Sequence, residues 1–289
     1  MKKVASLLVL MAIATSLHAQ DFFKLVQTGT PDQVRAAVEA GANVSGQDGT
    51  GWTPLMYAAQ FNTEPRVISV LLKAGASVSE RDMTGYTPLM WAAQSNSNPK
   101  VVTELLNAGA KVNDRDKAGY TPLMWAAFNN TNPYIIAALL EGGAHIDDRN
   151  SNGQTALLLA AGFNENPQVI SLLLKARADV NVKDASGGTP LLYASQGYGN
   201  LNDPDRNLLI ISMLLKAGAN VSDRNTYGWT ALMFAAAYNK NPLVISLLLE
   251  AGANGRIKSG EGKTAFEYAE RNSWIRGTKQ YWNLNDARF

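Results

Sequence analysis

The chain has 289 residues, of which 46% are hydrophobic and 17% are charged, a composition typical of a globular protein rather than a disordered one. The 26 Lys and Arg residues nearly balance the 24 Asp and Glu residues, so the overall charge gives no support to electrostatic binding of nucleic acid. Cysteine is absent and histidine occurs only as His18 and His145, which excludes disulfides, thiolate catalysis and Cys-ligated zinc and argues against a His-based metal site or a Ser-His-Asp triad.

Residues 1–19 have the layout of a secretory signal peptide. A basic start of two lysines is followed by an uncharged, mostly apolar run from Val4 to Leu17, and Ala19 offers a small residue before a cut. The alternatives are an uncleaved anchor or a buried helix, but the run is short for a membrane span, which needs about 20 residues. We expect cleavage near Ala19 and a periplasmic or secreted mature protein without a membrane span.

A short motif recurs along the rest of the chain. Its fullest form reads TPLMWAA, and successive copies are 34 residues apart except for one step of 41. The seven copies begin at Thr53, Thr87, Thr121, Thr155, Thr189, Thr230 and Thr264. An AGA-like element recurs in phase with them, and a fixed period in this range indicates stacked units, none of which buries its apolar face alone.

The unit that begins at Thr87 predicts two helices and a turn-rich finger. The Thr87 hydroxyl can cap a first helix, which Asn96 can end in the left-handed conformation. A second helix follows from Pro99, and Gly109 can end it at positive φ. Residues 114–119 then form a hairpin-like turn before the next threonine.

The Asp-x-x-Gly-x-Thr-Pro-Leu pattern at 82–89, repeated at 116–123, resembles the ankyrin-repeat family. The resemblance implies an all-α ankyrin-repeat solenoid of about eight helix-turn-helix units with β-hairpin-like fingers. It divides the chain after the signal peptide, residues 20–289, into an N-terminal capping repeat, six full repeats and a C-terminal capping repeat, at 20–46, 47–259 and 260–289.

Several features of the chain depart from the family pattern, and they lead to separate structural predictions. The motif Asn-x-Asn-Pro recurs in the helix–helix turns. In this feature the chain resembles a bacterial secreted branch of the family. Arg177 stands where the other repeats have their helix-ending glycine, which predicts a weak point of about 1 kcal/mol. The fifth full repeat carries seven additional residues around 198–207, which form either a plain loop or a lengthened second helix that Pro204 starts. At the C-terminus, three aromatic residues are expected to cover the last core: Trp274, Tyr281 and Trp282.

Two groups of aromatic residues recur in the repeats. The finger aromatics stand directly before the capping threonine: Trp52, Tyr86, Tyr120 and Trp229. The helix aromatics stand on the first helix: Tyr57, Trp91, Trp125, Tyr193 and Phe234. The resemblance places the finger aromatics on or near a concave binding face, whereas the helix aromatics are either exposed there or, as we favour, packed between repeats. Gln154 and Gly188 interrupt the finger row, which predicts two aromatic patches.

Basic residues also recur once per repeat, at Arg81, Arg115, Arg149, Lys183, Arg224 and Lys258. They form either a basic ladder for an acidic partner or, as we favour, a row in which each cation pairs with a neighbouring acid. The acids that directly follow them are Asp82, Asp116 and Asp184.

The favoured function is a non-catalytic protein–protein interaction module that binds an unidentified protein, as a monomer, through its concave groove and fingers. The predicted partner-binding residues are Trp52, Tyr86, Tyr120, Trp229, Arg81, Arg115, Arg149 and Arg224. The alternative is an envelope carbohydrate-binding protein, in which rings stack on sugars and amides such as Gln60 and Gln94 bind hydroxyls. We predict no catalytic residue, metal site or cofactor, and Gly260–Thr264 lacks the first glycine of a phosphate-binding loop.

Overall fold

The computed structural model of the protein describes residues 21–197 and 204–287. The predicted signal peptide at 1–19 lies outside the described residues. The described chain folds as eight successive helix pairs, each a first helix and a second helix. In chain order they are α1 (residues 21–28) and α2 (Pro31–Glu39), α3 (Pro54–Phe61) and α4 (Pro65–Lys73), α5 (Pro88–Ser95) and α6 (Pro99–Asn107), α7 (Pro122–Asn129) and α8 (Pro133–Glu141), α9 (Ala156–Phe163) and α10 (Pro167–Lys175), α11 (Pro190–Gln196) and α12 (Pro204–Lys216), α13 (Ala231–Tyr238) and α14 (Leu243–Glu250), and α15 (Ala265–Ala269) and α16 (Lys279–Asp286).

The helices belong to two compact units. Among the described residues, the first unit contains 21–126 and 134–144, and the second contains 127–133, 145–197 and 204–287. In the first unit α3 packs on α5 and α4 packs on α6. In the second unit the first helices α9, α11, α13 and α15 pack in succession, as do the second helices α10, α12, α14 and α16. Within each unit the repeat therefore becomes a stack, which confirms the predicted helix-turn-helix fold.

The unit around α5 shows how the motif builds one repeat. The Thr87 side chain accepts a hydrogen bond from the Met90 amide, and Pro88 occupies the first turn. The motif's Leu, Met and two Ala residues are fully buried, and the small alanines allow neighbouring first helices to approach closely. At the end of the second helix Gly109 has φ 91°. These predictions from the sequence are confirmed.

Asn96 does not end its helix in the left-handed conformation, contrary to the prediction. Its φ and ψ are −73° and 138°, which is extended backbone. This conformation accompanies a side chain that reaches the preceding repeat, where Nδ2 donates to the carbonyl oxygens of Ala59 at 2.8 Å and Asn62 at 2.9 Å. The Asn98 amide donates to its Oδ1 at 2.8 Å. Equivalent bonds tie three further asparagines to preceding repeats: Asn62, Asn164 and Asn272.

Two repeats depart from the common pattern, one in the backbone conformation at Arg177 and the other in the length of its second helix. Arg177 has φ 67° and is the one non-glycine residue with positive φ in the described part of the chain. Helix α12 has 13 residues where α10 has nine, and its buried residues Asn207, Ile211 and Leu214 keep helical spacing. The helix-extension alternative is therefore confirmed from Pro204 onwards, whereas 198–203 lie outside the described residues.

The C-terminal cap differs from the expectation. Tyr281 is 9% exposed and its ring centroid lies 4.7 Å from that of Phe266, but Trp274 and Trp282 are 59% and 56% exposed. Helix α16 turns Tyr281 and Leu284, three residues apart, towards the core. Trp282, one residue further along than Tyr281, therefore lies on another side of the helix. The prediction that all three aromatics cover the core is wrong for both tryptophans.

Candidate partner-binding surface

One side chain at the start of each finger shapes its turn. Asp82 Oδ1 accepts hydrogen bonds from the amides of Thr84 at 2.8 Å and Tyr86 at 3.0 Å. The Asp82 amide donates in turn to the Tyr86 carbonyl at 3.1 Å. The same arrangement occurs at Asp48, Asp116, Asn150, Asp184 and Asn225. The fingers are therefore tight turns that fix the residue before each capping threonine, and in the described residues their β-pairing is one isolated bridge, Arg224–Thr230.

The second carboxylate oxygen of the finger aspartate binds the helix aromatic nine residues later. Trp91 Nε1 donates to Asp82 Oδ2 at 3.1 Å, and the Tyr57 hydroxyl donates to Asp48 Oδ2 at 2.7 Å. Trp125 and Tyr193 make the same bond to Asp116 and Asp184. Where the helix residue has no donor, at Leu159 and Phe234, the finger residue is an asparagine, Asn150 or Asn225. Each of these helix aromatics therefore donates within its own repeat, and the Tyr193 hydroxyl also accepts a hydrogen bond from Gln154 Nε2 of the preceding repeat at 3.0 Å.

These contacts shift the acidities of the groups involved. Burial alone would raise the pKa of the Asp48 carboxyl, but hydrogen bonds from Thr50, Tyr57 and Trp52 outweigh it and hold the pKa below its ordinary value. Burial, followed by the bond to Asp48, raises the pKa of Tyr57 to about 12. Burial and the charges of Asp116 and Asp82 also raise the pKa of Tyr86. Neither tyrosine is suited to proton transfer near neutral pH.

The finger and helix aromatics of the first unit interleave in one run of rings, which we call the aromatic stack. Every member is partly exposed, and neighbouring rings are stacked or tilted against each other. Centroid distances along it are 4.8 Å for Tyr57–Trp52, 4.1 Å for Trp52–Trp91, 4.6 Å for Trp91–Tyr86, 4.9 Å for Tyr86–Trp125 and 4.6 Å for Trp125–Tyr120. Trp91 and Trp125 each lie between finger rings of two adjacent repeats, which is the packing between repeats that we favoured, and both remain partly exposed.

The second unit has an aromatic cluster of its own around Trp229. The Trp229 ring lies 4.8 Å from Phe234 and 4.2 Å from Tyr268, measured between centroids. Gln154 and Gly188 carry no ring in the finger row, as the sequence shows. A Cβ atom at Gly188 would lie 2.7 Å from the Tyr193 ring, which fills that space.

Arg81 does not pair with Asp82, the acid that directly follows it in the chain. Arg81 donates to the carbonyl of Gly85 in its own finger and to that of Arg115 in the next, both at 2.8 Å. It also pairs with Asp114 at 2.9 Å, whereas the Asp82 carboxylate is occupied inside its own finger. Arg149 and Arg224 make the same two carbonyl bonds, and Arg115 bonds the Gly119 carbonyl of its own finger. Arg81, Arg149 and Arg224 therefore each tie their finger to the next finger of the same unit.

The first helices α3 and α5 supply an uncharged surface beside the rings of the first unit. The helices α3, α5, α7, α9, α11 and α13 contain no Asp, Glu, Lys or Arg. Gln60 and Gln94 follow the aromatic residue by three positions in α3 and α5, which places each amide next to a ring of the stack. The Oε1 atoms of both glutamines are buried without a hydrogen-bond partner. The uncharged helices α3 and α5, which belong to the first unit, and the aromatic stack together form the helix–finger surface of the first unit.

Comparison with known families decides the classification. A model of ankyrin repeats in three copies matches residues 22–116, 70–150 and 123–225, and a model of ankyrin repeats in many copies matches 214–269. The chain belongs to the ankyrin-repeat family. Ankyrin repeats are protein–protein interaction modules, and the family is generally non-catalytic. No curated protein gives a significant match to this ankyrin-repeat chain.

None of the helices within 21–197 and 204–287 combines the length and apolar character needed to cross a bilayer. Within the same ranges, no three His, Cys, Asp or Glu side chains are grouped so that they could hold a metal ion.

Proposed function

We propose that this protein is a non-catalytic adaptor that binds a partner protein through the helix–finger surface, in the periplasm or outside a bacterial cell. The aromatic stack of the first unit carries this proposal. Tryptophan and tyrosine dominate the energetic centres of protein interfaces. Here six such rings lie side by side, partly exposed, on one surface.

The stack is rigid before any partner arrives. Trp91 is held by its bond to Asp82 and by the flanking rings of Trp52 and Tyr86. A surface whose side chains are already ordered loses little conformational entropy on binding, so more of the contact energy is available for affinity.

The same contacts count against the carbohydrate alternative. Sugars stack on open ring faces, but Trp91 has a ring on either side of it, at 4.1 and 4.6 Å. The polar atoms of Tyr57, Trp91 and Trp125 donate inwards to aspartates and are not offered to sugar hydroxyls.

The test is affinity capture from an envelope and periplasmic extract, with mass spectrometry as the readout. One bait is the wild-type protein and the second carries Tyr86→Ala and Tyr120→Ala. The matched control carries Tyr134→Ala and Tyr227→Ala, which remove two tyrosines that are 69% and 70% exposed and lie outside the stack. We expect a protein that the wild type and the control capture and the stack variant loses, with all three folded by circular dichroism. A partner that the stack variant retains, or no partner at all, would contradict the proposal.

The proposed periplasmic or secreted location is tested separately, by the mass of the recovered protein. The intact mass of protein recovered from the periplasmic fraction and the medium reports the N-terminus, and we expect a start near residue 20. Full-length protein retained in the cytoplasm would contradict this part of the proposal.

A further inference from the structure

We infer that the first unit carries a second binding site, for a molecule with a phosphomonoester group, in a groove between the second helices α2 and α4. The groove has a volume of about 490 Å³, which falls within the usual range for small-molecule sites. None of its residues belongs to the helix–finger surface. The inference therefore adds a separate site and a ligand class to the proposed function and does not depend on it.

Charged residues at helical spacing line both walls of this groove. In α2, Arg35 and Glu39 are one turn apart, which places them on the same face of the helix. In α4, Arg66 and Lys73 are two turns apart and also share a face. Because α2 packs on α4 within the first unit, the two faces meet across the groove, and all four side chains line it.

The groove has an excess of positive charge. Its cations Arg35, Arg66 and Lys73 outnumber its one acid, Glu39, which gives a formal charge of +2. The side chains of Arg66 and Lys73 form no ion pair or hydrogen bond with other described residues. Arg35 pairs with the exposed Asp32 at 2.8 Å, but a guanidinium has five N–H donors and such surface pairs are weak. The groove therefore offers an anion positive charge that the protein itself does not neutralise.

A phosphomonoester group matches this charge. It carries about −1.5 to −2 at pH 7 and presents three strong acceptor oxygens, which guanidinium groups bind in pairs. The groove holds two guanidinium groups, Arg35 and Arg66, and Glu39 offers an acceptor to hydroxyl groups elsewhere in an organic molecule. A long polyanion is disfavoured, because the next second helices carry acids, Glu104 in α6 and Glu141 in α8.

A short side chain keeps this groove open. Val38 lines it, whereas the equivalent positions of the next two second helices hold the longer side chains of Leu72 and Leu106. In the groove between α6 and α8 the leucine fills the space, since a Cβ atom added to Gly142 would lie 2.7 Å from Leu106 Cδ1. The opening between α2 and α4 therefore belongs to this pair of helices and is not a consequence of the repeat itself.

The experiment is titration calorimetry of the full chain with ribose 5-phosphate and glycerol 3-phosphate as probes. Ribose and glycerol test the need for the phosphoryl group, malate tests whether carboxylates replace it, and inorganic phosphate tests the need for the organic part. Vesicles that contain phosphatidic acid test a lipid as the source of the same group. We expect a phosphorylated probe to bind roughly tenfold or more tightly than its unphosphorylated parent, and more tightly than malate or inorganic phosphate.

Variants of the protein assign the binding to the groove. Arg66→Gln removes one exposed cation, and Val38→Leu fills the groove without changing its charge; each should weaken binding of the phosphorylated probe by roughly tenfold. Lys100→Gln is the matched control, because Lys100 occupies the position of Arg66 in the next second helix and does not line the groove. This control and the Tyr86→Ala/Tyr120→Ala variant should bind the probe as the wild type does. Circular dichroism checks that every variant is folded.

The outcomes decide both the site and the source of the phosphoryl group. Binding of a soluble probe or of the vesicles that both Arg66→Gln and Val38→Leu weaken supports the inference and identifies a soluble molecule or a lipid as the source. Binding that either variant leaves unchanged, equal binding of malate or inorganic phosphate, or no binding of any probe would overturn the inference. Each of these results leaves the proposed function standing, because that function is tested by the variants of the aromatic stack.

Discussion

Asp82 and Trp91 are joined by a hydrogen bond of 3.1 Å between Oδ2 and the indole Nε1. The other oxygen of Asp82 shapes the finger turn, so one carboxylate connects the finger to the first helix of its repeat. In the repeat where Phe234 replaces the tryptophan, Asn225 replaces the aspartate and keeps the turn bonds. The two positions therefore act as a pair.

This pairing can be measured by a double-mutant cycle. Trp91→Phe leaves a carboxylate oxygen of Asp82 without its donor, and Asp82→Asn sets an amide N–H against the indole N–H. We expect the double variant, which copies Asn225 and Phe234, to be more stable than the sum of the two single effects by about 1 kcal/mol. Urea unfolding of the four proteins gives the coupling energy. Additive effects would mean that the bond contributes nothing specific.

The buried asparagines should be among the most sensitive polar positions. Asn96 is 1% exposed and bonds two carbonyls of the preceding repeat and one amide of its own turn. Because Asn96→Ala leaves these groups without the partners they have now, we expect it to lower the free energy of unfolding by roughly 2–3 kcal/mol. The control is Asn129→Ala at an exposed position, with an expected change within about 0.5 kcal/mol. Similar urea midpoints for the two variants would contradict this role.

The sequence predicts what is local and periodic in this fold. Thr87, Pro99 and Gly109 act through their own caps and backbone conformations, so their roles follow from their positions in the repeat. The roles of Asn96 and Arg81 do not, because their partners lie in the neighbouring repeat and the distance between repeats is a tertiary quantity. The Asp82–Trp91 bond did leave a signal in the sequence: aspartate pairs with Tyr or Trp nine residues later, and asparagine pairs with Leu or Phe.

Variants at Arg177 can measure how much a left-handed backbone conformation at a non-glycine residue lowers the free energy of unfolding. It has φ 67°, close to the other helix ends, where Gly75, Gly109 and Gly143 have φ 97°, 91° and 87°. Arg177→Gly removes the clash of Cβ with the backbone and should raise the free energy of unfolding by about 1 kcal/mol. Arg177→Ala keeps the Cβ atom and should give no such gain. Equal urea midpoints for the two variants would show that the backbone is not strained there.

Tyr57 gives a prediction about alkaline stability. The phenol ordinarily loses its proton near pH 10, but burial, together with the bond to Asp48, raises its pKa in the folded protein to about 12. Between these values the folded state holds a proton that the unfolded chain has released, so stability falls as pH rises. The contribution of Tyr57 is complete below pH 10 and is lost as pH passes through 12.

The matching experiment compares the wild type with Tyr57→Phe, which cannot titrate at this position. The stability advantage of the wild type should be constant below pH 10 and shrink between pH 10 and 12. Tyrosinate absorbance of the wild type minus that of Tyr57→Phe should show one step near pH 12. Tyr134→Phe is the control, because it removes an exposed phenol outside the stack and leaves the Asp48 bond in place. A difference step near pH 10 would mean that the Asp48–Tyr57 bond does not hold the proton, and the coupling of finger to helix in this repeat would then rest on ring packing alone.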